Sequence, residues 1–101
     1  MPRTITLTHP ITTHDGSTST LELRDAKAGD FIAINALPVA SRGEGENTMT
    51  EINFKVAARW LARLTGLDEI LISNLSRGDF IEAVQTLSRH LMDDGVAAPG
   101  K

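Results

Sequence analysis

The spacing of apolar residues changes once along this chain, and the change limits the folds that the chain can adopt. Near the N-terminus apolar residues alternate with threonine, whereas beyond residue 25 they recur every three to four positions. Alternation is the period of a β-strand with one buried face, and the longer spacing is that of an amphipathic helix. The sequence therefore predicts an α+β protein, in which an N-terminal β-hairpin precedes three to four helices packed as one small domain over residues 1–95.

Two short segments with alternating polarity form the predicted hairpin. Residues 4–9 and 18–24 alternate in this way, and the first segment is rich in threonine, a β-branched residue that suits a half-exposed strand. The sequence around Gly16 between them is typical of a turn, because glycine adopts positive φ without steric cost. Pro10 cannot donate a hydrogen bond to a neighbouring strand, so we predict that it marks the end or the edge of the first strand.

The first predicted helix is short and leads into a polar loop. Asp25 is a candidate N-cap, because its carboxylate can accept hydrogen bonds from the free N–H groups of the first turn. Pro38 is predicted to end the helix. Residues 41–47 are polar and glycine-containing, without an apolar anchor, which is typical of an exposed loop.

The second predicted helix has the strongest amphipathic pattern in the chain. Thr48 and Glu51 fit a capping box at its start, and Gly66 is placed to end it in a left-handed conformation. At about 100° per residue, one broad face is apolar and is predicted to pack in the core. This face consists of Phe54, Val56, Ala57, Trp60, Leu61 and Leu64. The opposite face carries Lys55, Arg59 and Arg63.

Two further helical segments complete the predicted domain. Residues 68–72 are predicted to form a short helical turn, and Ser76 with Asp79 repeats the capping pattern before a longer helix. Gly95 is predicted to close that helix, and residues 96–101 are predicted to form a flexible tail. The predicted buried face of the longer helix consists of Phe80, Ile81, Val84, Leu87, Ser88, Leu91 and Met92.

Neither the composition nor the motifs point to catalysis or to a bound cofactor. The chain has no cysteine, which excludes thiolate nucleophiles and cysteine-ligated metals. His9, His14 and His90 are not spaced as metal ligands, and surface positions are expected for them. Adjacent acids such as the pair at residues 68–69 diverge by about 100° on a helix, too far to share a substrate. We therefore predict a non-enzymatic protein with no cofactor, no metal site and no catalytic residue.

Charge and hydropathy indicate the kind of partner. The net charge of −3 gives no general attraction to nucleic acid, and no stretch approaches the roughly 20 apolar residues that cross a membrane. The basic row Lys55, Arg59 and Arg63 allows three interpretations: a solvated helix face, contact with an acidic partner helix, or contact with nucleic-acid phosphate. Trp60 is either a core residue or an exposed anchor for a partner. These four residues and Phe80 are our candidate partner-binding residues.

A series of short motifs runs through most of the chain in a characteristic order. The pieces are Ile5-Thr6-Leu7, His9-Pro10-Ile11, Asp15-Gly16, Leu21-Glu22-Leu23-Arg24, Ala28-Gly29-Asp30, Leu64-Thr65-Gly66-Leu67, and Leu75 followed by Asp79-Phe80. In this order and spacing, residues 4–92 resemble the short tail assembly chaperones of tailed phages, including Mu-like and related contractile-tail phages. The family-motif residues are Leu23, Arg24, Asp30, Gly66, Leu67 and Asp79. The chain departs from the pattern at Ala26, where the family often has a proline.

The resemblance implies a role but no chemical reaction. Proteins of this family are thought to coat the long helical tape-measure protein, keep it soluble, help to recruit tail tube subunits, and leave before the tail is finished. For this chain the resemblance implies the tape-measure and tube proteins as partners, self-association as a further option, no membrane, and the bacterial host cytoplasm as location. The alternative is a small DNA-binding regulator that uses the basic helix face, although nucleic acid is not the expected partner.

Overall fold

The helices and strands follow the predicted order, with two additional strands between the first and second helices. The structure, a computed structural model, describes the backbone of residues 2–42 and 49–96 and the side chains of residues 2–39 and 51–92. Its elements are β1 (Arg3–Thr13), β2 (Gly16–Leu23), α1 (Ala28–Ile34), β3 (Val39–Arg42), β4 (Met49–Ile52), α2 (Phe54–Thr65), α3 (Glu69–Ser73) and α4 (Arg77–Val96). An N-terminal hairpin followed by helices confirms the predicted α+β class. Most of the predicted loop, Thr48 and residues 97–101 of the predicted tail lie outside the described residues.

The β1–β2 hairpin is longer than predicted and contains an irregular stretch. Its antiparallel register runs from Arg3↔Leu23 to Thr6↔Thr20, and resumes from Ile11↔Thr18 to Thr13↔Gly16. Pro10 lies in the interruption between these two runs, inside β1. Because proline has no N–H to leave unpaired, it is tolerated where a strand bulges. The predicted strand end at residue 9 is therefore wrong, and β1 continues to the turn.

A second antiparallel pair, β3–β4, occupies part of the predicted loop and the predicted start of the second helix. Its register runs from Val39↔Ile52 to Arg42↔Met49. The helix α2 therefore begins at Phe54, and the side chain of Asn53 accepts a hydrogen bond from the N–H of Val56 at 3.1 Å. The predicted capping box at Thr48 and Glu51 is wrong, because Glu51 lies in β4. Asn53 caps the helix instead, and asparagine is among the residues preferred at this position.

The start of α1 differs from the prediction in the residue that caps it. The helix begins at Ala28, so Asp25 is not its N-cap. Asp30 supplies a capping bond instead, because its carboxylate accepts a hydrogen bond from the N–H of Lys27 at 2.8 Å. A carboxylate in the first turn also suits the positive end of the helix dipole.

The later helix ends are partly as predicted. Gly66 ends α2 with φ at 78°, and its N–H donates to the carbonyl of Ala62 at 2.9 Å. The short helical turn is also confirmed as α3, which begins after Asp68. The predicted end of α4 is wrong, because the helix continues through Gly95 and includes Val96.

One face of the hairpin packs against α2, α3 and α4. The core apolar residues are Ile5, Leu7, Ile11, Leu21 and Leu23 from the hairpin, Val56, Ala57, Trp60, Leu61 and Leu64 from α2, and Ile72, Leu75, Ala83, Val84, Leu87 and Leu91 from the last two helices and the turn between them. The buried stripe of α4 is turned from the predicted one, toward Ala83 and His90. Ile81 and Met92, which were predicted to be buried, are therefore exposed.

Within residues 2–42 and 49–96, no helix has both the length and the apolar character that a membrane span requires.

Candidate functional site

A buried carboxylate, that of Asp30, connects the end of β2 to α1 and α2. Arg24 donates to both of its oxygens, from Nη1 to Oδ2 and from Nη2 to Oδ1, each at 2.8 Å. Arg63 donates from Nε to Oδ1 at 2.6 Å. The Asp30 side chain is 4% exposed, whereas those of Arg24 and Arg63 are 46% and 43% exposed. We call these three residues the Asp30 cluster.

The electrostatics of the Asp30 cluster favour the ionised carboxylate. Hydrogen bonds from Arg24 hold the pKa of Asp30 well below its ordinary value, against the desolvation that would raise the pKa. The N–H of Lys27 and the side chain of Arg63 lower this pKa further. A single carboxylate faces two guanidinium groups, so the Asp30 cluster carries a net positive charge at its solvent side.

Several family-motif residues converge here and hold the fold together. Leu23 is wholly buried directly before Arg24. The N–H of Arg24 donates to the carbonyl of Leu64 at 3.2 Å, which joins β2 to the end of α2 just before Gly66. Leu67 is partly buried against the core. The structure therefore gives Leu23, Arg24 and Leu67 places in the packing of the fold.

His90 is a further part of this region, and the sequence placed it wrongly at the surface. Its ring is wholly buried, and Nε2 lies 2.8 Å from the carbonyl oxygen of Arg24. Because a carbonyl oxygen can only accept, Nε2 carries the hydrogen in this bond. The α4 helix is thus fixed to the same strand end as the Asp30 cluster.

Asp79, the last family-motif residue, fixes the irregular stretch of β1 to the first turn of α4. Its carboxylate accepts hydrogen bonds from the N–H of Thr8 at 2.9 and 3.0 Å, from the N–H of His9 at 3.0 Å, and from Thr8 Oγ1 at 3.0 Å. Pro10, next along the chain, has no N–H to pair. One side chain therefore accepts hydrogen bonds from two backbone N–H groups of the irregular stretch, which helps to satisfy their need for partners.

One of the two hydrogen bonds of the predicted capping box at the start of α4 is present. Ser76 Oγ accepts a hydrogen bond from the N–H of Asp79 at 3.3 Å, as predicted. The carboxylate of Asp79, which was predicted to return to the helix start, instead reaches β1. The hydrogen bonds of the Thr8 N–H, more than any other cause, lower the pKa of Asp79 from 3.8 to about 2, against desolvation, which would raise it.

We expect Asp79→Asn to destabilise the fold at neutral pH and to change its response to acid. The pKa of Asp79 is lower in the folded state than in the unfolded chain. The stabilisation of the fold by its carboxylate is therefore complete above pH 3.8 and is lost as the pH falls toward about 2. The difference in urea midpoint between wild type and Asp79→Asn should therefore be largest at pH 7 and shrink toward pH 2. Glu82→Gln, an exposed change on the same helix, is the control. An equal difference at both pH values would contradict this role.

An open apolar groove lies between the first turn of α2, the turn before α4, and the first turn of α4. It has a volume of about 450 Å³ and is lined by Phe54, Ala58, Leu75 and Phe80, with Lys55 and Arg77 at its rim. The rings of Phe54 and Phe80 meet with centroids 5.8 Å apart, at 45°. Phe54 is 47% exposed, although its place on the apolar arc of α2 predicted a core position. We call this the Phe54 groove.

A depression of mixed polarity lies on the other side of Phe54. Its apolar lining includes Leu37 and Ile52, both about half exposed, and its polar lining consists of Glu51, Asn53 and Lys55. Ile52 is the last residue of β4, which leads into α2, whereas Leu37 lies between α1 and β3. Exposed apolar side chains grouped around Phe54 in this way are typical of sites of contact with other molecules.

The basic row lies on the solvent side of α2. Lys55, Arg59 and Arg63 are all exposed, and α2 contains no acidic residue. Lys55 is at the rim of the Phe54 groove, whereas Arg63 belongs to the Asp30 cluster. The row thus runs from one of these features to the other, and the role of its residues in partner binding remains a prediction.

The structure separates the two alternatives for Trp60. The side chain is fully buried, its Nε1–H donates to the carbonyl of Ala36 at 2.9 Å, and its ring meets that of Phe31 edge-on at 4.9 Å. Trp60 is therefore a core residue, and its interpretation as an exposed anchor is wrong. Phe54, which the sequence assigned to the core, occupies the surface position instead.

The fold and these surfaces define a small α+β protein that can offer an apolar groove and a basic helix face to another protein. A family model described as phage tail assembly chaperone proteins, E, or 41 or 14, matches residues 4–92 of the 101 residues. The chain therefore belongs to this family of phage tail assembly chaperones, as the order of its motifs suggested. Membership of the family supports the role of a tail assembly chaperone and implies a non-enzymatic one. No curated protein and no solved structure matches the chain.

Proposed function

We propose that this chaperone binds the phage tape-measure protein at the Phe54 groove and keeps it soluble in the bacterial cytoplasm. It then helps to recruit tail tube subunits and is absent from the finished tail. It carries out no covalent chemistry in this role. The observation that supports the proposal is the groove itself, in which the half-exposed ring of Phe54 lies against the partly buried ring of Phe80 next to a basic helix face.

The chemistry of the groove suits a helical client. A long helical protein exposes apolar stripes before it is assembled, and such stripes cause aggregation unless another surface covers them. An amphipathic helix can place apolar side chains at helical spacing into a groove of this kind. The groove is open and short, which favours modest affinity at each contact and permits replacement by incoming tube subunits.

The DNA-binding alternative has less support. It depends on three basic residues acting together on phosphates, but Arg63 already donates to the buried carboxylate of Asp30. The chain also carries a net negative charge, which opposes approach to nucleic acid. Membership of a tail assembly chaperone family supports a protein client instead.

We expect Phe54→Ala to weaken binding of the tape-measure protein about tenfold or more, because truncating a hot-spot side chain at the centre of an interface costs about 2 kcal/mol or more, and about 1.4 kcal/mol corresponds to a factor of ten in affinity. The two proteins are co-expressed, with the tape-measure protein taken from the same phage genome, and their complex is quantified by co-purification and by titration. The soluble fraction of the tape-measure protein should fall with the variant. Because Phe54 is half exposed, its removal should leave the fold intact, which circular dichroism would check.

Ile32→Ala is the matched control for this experiment. Ile32 is 77% exposed on α1, and it does not line the Phe54 groove. The substitution Ile32→Ala therefore removes an exposed apolar side chain, as Phe54→Ala does, but at a different place on the protein. Equal binding by wild type and Phe54→Ala, or equal losses in Phe54→Ala and Ile32→Ala, would argue against the groove as the binding site.

A further inference from the structure

We infer that the client segment held at the Phe54 groove is a helix with acidic residues along one flank, and that these acids lie over Lys55 and Arg59. This inference rests on the proposed function and adds the chemistry and the orientation of the segment. It follows from the juxtaposition of the groove with the basic row on a single helix, α2.

The groove and the basic row are neighbouring lines on α2. Phe54 and Ala58 form the apolar line, and Lys55 and Arg59 form the basic line, each with a spacing of four residues. Consecutive residues differ by about 100° around a helix, so the two lines run side by side. A helix packed over Phe54 and Ala58 would therefore bring one of its flanks alongside Lys55 and Arg59. Ala58 is small and only partly exposed, which permits close approach of the partner backbone.

Charge decides what that flank should carry. The chain has a net charge of −3, so its overall charge weakly repels an acidic partner, which is attracted where basic residues cluster. No acidic side chain lies on α2 itself; Glu51 of β4 lines the same depression as Lys55, whereas Arg59 lies one turn further along the helix. Arg77 provides a further positive charge on the groove rim. Acidic residues three or four positions apart on the client helix would match the separation of Lys55 and Arg59, about 6 Å along the axis.

Arg63 takes a different part in this surface. Its Nε is committed to Asp30 at 2.6 Å, so changing it would disturb the fold as well as the surface. The client contact is therefore assigned to Lys55 and Arg59, and the variants that test it leave the Asp30 cluster unchanged. Polar pairs of this kind add orientation and speed of association more than affinity.

The test compares Arg59→Glu with Arg89→Glu in binding to the same tape-measure protein. Both residues are exposed arginines in helices, and Arg89 does not line the Phe54 groove. We expect Arg59→Glu to weaken binding about tenfold at 50 mM NaCl, and less than about threefold at 500 mM NaCl, since salt screens exposed charges. Arg89→Glu should bind as wild type does. Thermal unfolding of each variant checks that the fold is retained.

Three results would overturn the inference. Equal effects of Arg59→Glu and Arg89→Glu, or an effect of Arg59→Glu that is independent of salt, would show that no acidic flank contacts the basic line. These results are distinguished from failure of the proposed function by Phe54→Ala. If Arg59→Glu gave either of the two results above and Phe54→Ala still abolished binding, the proposed function would stand without the acidic flank. If Phe54→Ala had no effect either, the proposed binding site would fail as well. Binding of duplex DNA that Arg59→Glu removes, with tape-measure binding unchanged, would instead assign the row to phosphate.

Discussion

Asp30→Asn is expected to lower the free energy of unfolding by about 3 kcal/mol, because breaking a buried charge pair leaves its partners uncompensated. The side chain is almost fully buried and accepts hydrogen bonds from Arg24, Arg63 and the N–H of Lys27. The neutral amide cannot accept from all of these groups, and two guanidinium groups would then face each other without an anion. Exposure of both arginines to solvent keeps the expected loss at the lower end of the range for buried pairs.

Urea unfolding followed by circular dichroism measures this loss. Asp68→Asn is a suitable control, because Asp68 is exposed and precedes α3 without a side-chain capping bond. Its effect should remain within about 0.5 kcal/mol, as for most surface substitutions. A loss for Asp30→Asn no larger than this control would mean that the Asp30 cluster contributes little to stability. Such a result would also remove the reason for treating Arg63 as part of the fold.

Trp60→Ala is expected to destabilise the fold by about 4 kcal/mol, the usual cost of emptying a large aromatic position in a core. The indole is fully buried, donates to the carbonyl of Ala36, and packs edge-on against Phe31. Its removal leaves a cavity beneath α1 and an unpaired carbonyl. For a small domain this loss is a large fraction of a total stability of about 5–15 kcal/mol.

Trp60→Phe separates the two contributions of the indole. Phenylalanine fills most of the cavity but cannot donate to Ala36, so we expect a loss of about 1–2 kcal/mol. Chemical unfolding should therefore rank wild type above Trp60→Phe and Trp60→Phe above Trp60→Ala. If Trp60→Ala were as stable as wild type and lost tape-measure binding, the side chain would act as an anchor at the surface after all.

Local sequence determined the hairpin and most helix positions. The alternation of Ile5 and Leu7 with threonine predicts a strand, because the side-chain period of a strand is two regardless of its neighbours. Gly66 predicts a helix end for an equally local reason, since glycine accepts the left-handed conformation found there, with φ at 78°. The motif order also identified the family, which the match over residues 4–92 confirms.

Other features of the fold depend on residues far apart in the chain. The pairing of β3 with β4 displaced the start of α2 by several residues, although Thr48 and Glu51 fit a capping box when the sequence is taken alone. The rotation of α4 toward the hairpin buried His90 and exposed Ile81. Periodicity gives the width of an apolar face, but only packing against particular neighbours gives its direction.

The family-motif acids show the same division. Sequence alone marked Asp30 and Asp79 as members of a pattern, and assigned Asp79 to a helix cap. Only the tertiary structure shows that Asp30 binds Arg63, 33 residues later, and that Asp79 accepts hydrogen bonds from the β1 backbone, 70 and 71 residues earlier. Spacing along the chain encodes local conformation, whereas the partners of a buried charge are decided by which elements meet in the folded core. The Phe54 groove is likewise formed where three such elements meet. Periodicity along α2 carries no information about those neighbours, and it therefore assigned Phe54 to the interior.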